Sequence, residues 1–495
     1  MNAFRLPGLV IVIGLLAGGL LLDQTREAPA ELVEAIGLPS SLVAIGETQA
    51  ATWFCAASTP LEGGLADSEV LLANTQPTVA NASISVYRGG VSPASGNAVD
   101  EIELPLEPQS ITSLRLGDLA GTEVVSLAVE VDRGGVLVEK TSVGPTGVDR
   151  TACSTEASTT WVSTSGSTVP GSRHQLVIFN PFPDEVTLDI DFTSDVGTRR
   201  PEALTGLHVP ARSARLVEVA DFVAASEDIT TFVRARSGRV VVESIQAFDG
   251  SAVPLGLSVM SAAPATASSW TFAGVTPAAG PARLTVVNPG DTEVRVDVEV
   301  FPAAGERFVE PFEVILQPGQ RDIVELESTG RLAEISSFSL VARALGGDEI
   351  IAGVEQRPAV EEPDPLEGIV EQDDVDVPST GFASSIGQPI LAHRLFTTVD
   401  IAEDDERSAL HIFNPADDTI VRPVVRIAAD GATRDVVLEV GPLRTLRVPL
   451  TELASGRYSL ELISDASPIV ASREITGLTS RSWAPLLATS EPPAG

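Results

Sequence analysis

Lysine is almost missing from this chain of 495 residues: Lys140 is the only one. A phosphate-binding loop needs Gly-Lys-Ser/Thr, but Lys140 follows Glu139. A Schiff-base enzyme would have this single candidate. Two cysteines and four histidines are too few and too scattered for a metal cluster. Neither G-x-S-x-G nor H-E-x-x-H occurs. Positive charge is also scarce. Lys+Arg is 32 against 68 Asp+Glu, a formal charge of −36 that repels phosphate backbones and argues against nucleic acid as a partner. Aromatics are only 4% of residues, with two tyrosines, which disfavours stacking platforms for sugars. These shortages point away from catalysis and from any cofactor.

Long apolar runs are confined to the N-terminus. Residues 6–22 (LPGLVIVIGLLAGGLLL) follow Arg5 and precede Asp23, Arg26 and Glu27. As a helix they rise about 26 Å, just short of the hydrocarbon layer. Arg5 holds the short flank in the cytoplasm and sends the remainder across the membrane. The segment 1–30 therefore reads as a signal anchor, or as a signal peptide cut after Ala28-Pro29-Ala30. The chain is expected to be single-pass and extracytoplasmic, or secreted if the signal is cleaved. In that compartment Cys55 and Cys153 have one possible pairing and are expected to form a disulfide; two buried thiols are the alternative.

Repetition is the strongest signal that is present. Trp53, Trp161 and Trp270 are spaced by about 108 residues; Trp483 lies two intervals further, and Phe382 stands near the missing midpoint. After each of the first four markers comes an apolar strand ending in Asn: Asn74, Asn180, Asn288 and Asn414. Pro follows the last three, an Asn-Pro turn signal. Next comes an alternating strand, with Ala80/Ala82/Ile84/Val86, Val186/Leu188/Ile190/Phe192 and Val294/Val296/Val298/Val300 on one face. In the fourth unit the set shifts to Val421/Pro423/Val425/Ile427, as a turn one residue longer requires. A closing hairpin ends each unit, its second strand beginning at Val136, Val240, Ile350 or Ile469.

The predicted fold is all-β, with four tandem Ig-like antiparallel sandwiches in a row. The boundaries are 48–155, 156–264 and 265–358, an acidic linker at 359–380, a fourth sandwich at 381–480, and a Trp-bearing strand and tail at 481–495. The order of Trp strand, Leu-x-Val-x-Asn-Pro, alternating strand and final Val-Val-Glu strand, behind an N-terminal anchor, resembles a family of actinobacterial exported proteins, domain of unknown function 5719. The resemblance implies an anchored extracytoplasmic protein and brings no catalytic residue with it.

The remaining candidates are weaker. Residues 359–380 hold eight acids and no base; calcium at Asp373, Asp374 and Asp376 would need a D-x-D-x-D-G spacing that is absent, so a solvated linker is expected. Arg199, Arg200, Arg212, Arg215, Arg234, Arg236 and Arg239 gather in the second unit. They could face an anionic envelope polymer or lipid headgroup, but cross-strand pairing with local acids is the favoured reading. His174 and His411 are expected on sheet faces, His208 and His393 in or beside turns. Glu139 and Glu243 sit at equivalent positions in separate units and are expected to pair with arginine. Lys140 is expected to end a strand with no chemistry around it. The expected function is a non-enzymatic scaffold or interaction protein of the bacterial cell envelope. The alternatives are a carbohydrate-binding array acting on envelope polysaccharide, an accessory subunit of a glycan enzyme, or an enzyme with a cryptic pocket between repeats.

Overall fold

The computed structural model describes residues 41–489 except 46–48, 57–63, 91–99, 120–123, 252, 277–280, 304–308, 327–329, 333–334, 336, 358–380, 404, 406 and 478–479. The apolar segment 6–22, the 28–30 triplet and the acidic linker lie outside the described residues. Among those described, no helix is long and apolar enough to cross a membrane. Residues Leu38–Gly495 form one compact unit.

The chain is all-β, and one strand order recurs four times. After a short β1 (Leu42–Val43), the first set is β2 (Ala51–Cys55), β3 (Asp67–Asn74), β4 (Ala80–Gly90), β5 (Asp100–Leu106), β6 (Ser110–Arg115), β7 (Val124–Val131), β8 (Val136–Gly144) and β9 (Gly147–Ala152). It builds two sheets, β2-β7-β4-β5 and β6-β3-β8-β9. The second set is β10 (Thr160–Ser163), β11 (Ser172–Asn180), β12 (Val186–Ser194), β13 (Gly197–Arg199), β14 (Thr205–Val209), β15 (Ser213–Glu218), β16 (Ile229–Ser237), β17 (Val241–Phe248) and β18 (Gly256–Ser261). The third is β19 (Ser269–Val275), β20 (Ala282–Val287), β21 (Val294–Pro302), β22 (Phe312–Leu316), β23 (Arg321–Glu325), β24 (Phe338–Ala344), β25 (Ile351–Gln356) and β26 (Ala383–Ile386). The fourth is β27 (Arg394–Ile401), β28 (Ala409–Asn414), β29 (Val424–Ala429), β30 (Ala432–Val437), β31 (Arg444–Pro449), β32 (Gly456–Ile463), β33 (Val470–Thr476) and β34 (Arg481–Pro485), followed by β35 (Leu487–Thr489). Each later set repeats the two orders, for example β19-β24-β21-β22 and β23-β20-β25-β26.

The alternating strands behave as their period demands. β12 and β21 bury Val186, Leu188, Ile190 and Phe192, and Val294, Val296, Val298 and Val300, while the residues between face outward. Val421, Pro423, Val425 and Ile427 are the buried set of the fourth pair. The turn before each of these strands is held by the same asparagine. Asn74 Nδ2 donates to the carbonyls of Thr78, Leu106 and Glu107, and its Oδ1 accepts from Gln76 N. Asn180, Asn288 and Asn414 repeat the pattern toward Asp184, Thr292 and Thr419. The step is four residues in the first three pairs and five in the last, which is the extra turn residue that shifts the fourth register.

Trp53, Trp161 and Trp270 lie on first strands, each fully buried between its two sheets. Phe382 and Trp483 do not share that position. Phe382 immediately precedes β26, the last strand of the third pair, and Trp483 is in β34, the last strand of the fourth. The tryptophan position of pair four is taken by Leu395, opposite Leu462, where the others oppose Val129, Val233 and Ala342. Pair three therefore runs on to Ile386. The tail expected at 481–495 enters the fourth pair through β34, and β35 extends its other sheet beside β27.

The four pairs form a closed ring rather than a row. Strands β3, β8, β11, β17, β28 and β33 are buried on nearly every residue because one face meets the partner sheet and the other the neighbouring pair. Parallel pairing of Gly89 with Ala214 joins pairs one and two; a side chain at Gly89 would collide with the Ala214 carbonyl. Phe301 packs on Phe413 between pairs three and four. Phe396 and Leu487 of pair four enter the core of pair one, and β1 pairs with β35 beside them. The last strands β9, β18, β26 and β34 are edges of their sheets, and their meeting at the centre covers those edges.

Candidate functional site

Among the described residues, the ring axis is where all four pairs converge. Around it each last strand, or the residues just past its end, is tied to the next by a hydrogen bond. Asp149 Oδ2 accepts from Val259 N at 2.6 Å and from Ser258 Oγ at 3.1 Å. Ser258 Oγ meets Ser384 Oγ at 3.0 Å. Gln388 Nε2 donates to the Leu486 carbonyl. Arg150 N donates to Ser482 Oγ at 3.1 Å, which closes the circle. A cavity of about 100 Å³ runs between these strands, lined among others by Asp149, Arg150, Met260, Gln388 and Trp483. Ligand pockets usually hold about 300–1,000 Å³, so this space suits a few waters better than a substrate. Burial pushes the Asp149 carboxyl up to about 6, although it accepts several hydrogen bonds.

Buried charge is concentrated on the seams. Between pairs four and one, Glu139 accepts from Arg473 Nη1 at 3.0 Å and from Thr397 Oγ1 and Thr398 N at 2.9 and 3.0 Å. Burial alone would raise Glu139, but Arg473 and Thr398 hold it below the usual carboxylate range. Between pairs one and two, Lys140 Nζ donates to Glu243 Oε1 and to the Ala56 carbonyl. Lys140 is thus fully buried and paired, not an idle strand end. Between pairs two and three, Arg283 and Arg357 both bridge Asp228 and Glu355. Between pairs three and four, Ser472 Oγ and Trp483 Nε1 both donate to the Ala273 carbonyl. Gly274 beside it has φ +71°, and a side chain there would strike the His411 ring.

The histidines serve these strands. His411 Nε2 contacts Glu474 Oε2 at 2.9 Å, and Glu474 also pairs with Arg481. Burial alone would raise Glu474; Arg481 and His411 hold it at about 2. His174 is buried against Ser244 Oγ at 2.8 Å, and burial depresses its pKa to about 4. Its unfolded-state value is higher, so folding disfavours the protonated ring. The sign follows: stability is complete above about 6.5 and declines as pH falls toward 4, by about 3 kcal/mol in all. His174→Gln is expected to flatten urea midpoints across that window; an unchanged slope would contradict the assignment. His208 is exposed, 3.7 Å from Glu185, and His393 Nδ1 lies 2.6 Å from the Ser464 carbonyl.

The seven arginines do not form one face. Arg234 and Arg236 alternate on β16 and pair with Asp191 and Asp189, and Arg200 joins Asp191. Arg215 is on β15 in the other sheet, donating to the His208 carbonyl. Arg239 lies over the Phe182 ring. Arg199 is on β13 and Arg212 in the turn before β15. Cys55 and Cys153 form a disulfide across the two sheets of pair one. Among the described residues, no group of three His, Cys, Asp or Glu is placed to hold a metal ion.

The seam charges escape a reading that looks for catalytic motifs, yet a signal was there. Glu139-Lys140, Glu243 and Arg473-Glu474 interrupt apolar strand runs, and a strand buried on both faces can carry charge only if it is paired. No curated protein matches the chain. Residues 138–329, which span pair two and parts of its neighbours on either side, match the model of a family of unknown function, DUF5719.

Proposed function

We propose that the chain is a non-enzymatic, membrane-anchored interaction protein of the extracytoplasmic cell envelope, built of four Ig-like sandwiches and related to DUF5719 along its length. The observation that carries this reading is where the buried ionisable groups go. Glu139, Lys140, Glu243, Glu355, Arg473 and Glu474 are all engaged in ties between strands or sheet pairs. What is left for recognition is the outer surface and its loops. The family reading is extended by the asparagine turn, which recurs at Asn74 and Asn414, outside the matched segment. The sugar-binding alternative would need exposed aromatic platforms, and all four tryptophans are buried.

The test is cellular. In intact cells the protein should sediment with membranes, resist extraction by high salt, and be cut by external protease once the outer layers are opened. A cytoplasmic, protease-protected protein with free Cys55 and Cys153 would sink the localisation. Turnover of an envelope glycan by the purified protein would sink the non-enzymatic reading.

A further inference from the structure

Lys140 and Glu243 form a buried pair that the proposed function uses only as a tie between sheet pairs, and Asp149 is buried close by. Their exposures are 1%, 4% and 4%. Lys140 lies on β8 and Glu243 on β17, in different sheet pairs, with Nζ hydrogen-bonded to Oε1. Opposite β8, Asp149 of β9 faces Ser142. Directly opposed residues share a face and the strand period is two, so Asp149 and Lys140 lie on the same side of that hairpin. Asp149 is fixed there by Val259 N of β18, the strand paired with β17.

We propose that Lys140 and Glu243 condense into a side-chain amide, a covalent cross-link between the first and second sheet pairs, with Asp149 as the proton carrier. The reaction needs a neutral amine and a neutral carboxylic acid, held in contact and away from water. Burial pushes toward those protonation states: it lowers Lys140 and raises Glu243 against their mutual attraction, and it raises Asp149 to about 6. Contact replaces a bimolecular encounter with an intramolecular one.

The bonds balance without any co-reactant. The Nζ lone pair attacks Glu243 Cδ, the new C–N bond forms, and the C–OH bond breaks. Asp149 gives its proton to the departing hydroxyl and recovers one from the nitrogen. The products are one amide and one water, with no change of oxidation state. Asp149 also lines the axial cavity, which gives the water a place to go. The amide replaces a desolvated ion pair with a neutral link. Because Lys140 is the only lysine, no other side-chain amine competes.

The experiment is a peptide map and intact mass of the full-length, reduced protein. The expected result is a mass lower by one water than its sequenced termini require, and a branched peptide joining Lys140 to Glu243. Asp149→Asn is expected to fold and give the full mass; Lys140→Arg is expected to give the full mass with a lower melting temperature. Lys140 recovered in a linear peptide from the wild-type protein would overturn the cross-link, whatever the variants do. A water loss mapped to any other residue would do the same. A branched peptide that persists in Asp149→Asn would remove Asp149 from the reaction.

Discussion

Replacing Arg473 by alanine is expected to destabilise the protein by about 3–5 kcal/mol, the usual cost of removing one partner from a buried pair. Arg473 is fully buried on β33, and its Nη1 donates to Glu139 Oε2, Thr397 Oγ1 and the Thr398 carbonyl. Without it Glu139 keeps its charge on the seam between pairs four and one with only hydroxyl and amide donors. The carboxyl would then rise from its depressed value, because the burial that opposes ionisation persists. The acid sensitivity that Glu139 confers belongs to the wild-type protein. A group held below its unfolded pKa stabilises the fold above that value and loses the contribution as pH drops through its folded pKa. Arg473→Ala should erase this contribution. Replacing both Glu139 and Arg473 by alanine should cost less than the sum of the two single alanine changes, since no lone charge remains. Urea unfolding of the four proteins gives the cycle. Additive losses would mean that the two residues do not act together.

Removing the disulfide is the second large effect. Cys55 ends β2 and Cys153 follows β9, 98 residues later, so the bond closes a long loop in the unfolded chain. Its loss through Cys55→Ala with Cys153→Ala should lower stability by roughly 4–5 kcal/mol. The native backbone should change little. Phe54 and Ser154 exchange two hydrogen bonds at 2.7 and 2.9 Å beside the bond, which keeps the two sheets in register. The expected signature is a lower urea midpoint with an unchanged circular dichroism spectrum. Equal midpoints for the oxidised protein and the double variant would contradict it.

The parts of the fold set by local chemistry were legible in the residues. The alternation in β12 and β21, the asparagine turn and its longer version before Val421, and the buried tryptophans each depend on neighbours close in sequence or on period alone. The last strands were harder. Phe382 and Trp483 fall near multiples of the repeat length, yet Phe382 leads into β26 and Trp483 lies in β34, because the fourth pair has Leu395 where a tryptophan marker was sought. Closure was not legible at all. Lys140 meets Glu243 across 103 residues, and Arg473 meets Glu139 across 334. Each charge announces that it needs a partner, but charge alone does not say which of several distant strands provides it. A row and a ring bury the same alternating faces within each pair. They differ only in what covers the outward faces of strands such as β3, β11 and β28.

Small-angle scattering on residues 38–495 tests that difference directly. A compact chain of this size should give a radius of gyration of about 23 Å. Four sandwiches end to end, each about 34 Å across, would give about 40 Å. The closed ring predicts the smaller value, unchanged by salt. A value near the larger one would show that pairs four and one do not meet, and that the seam between Glu139 and Arg473 is not formed in solution.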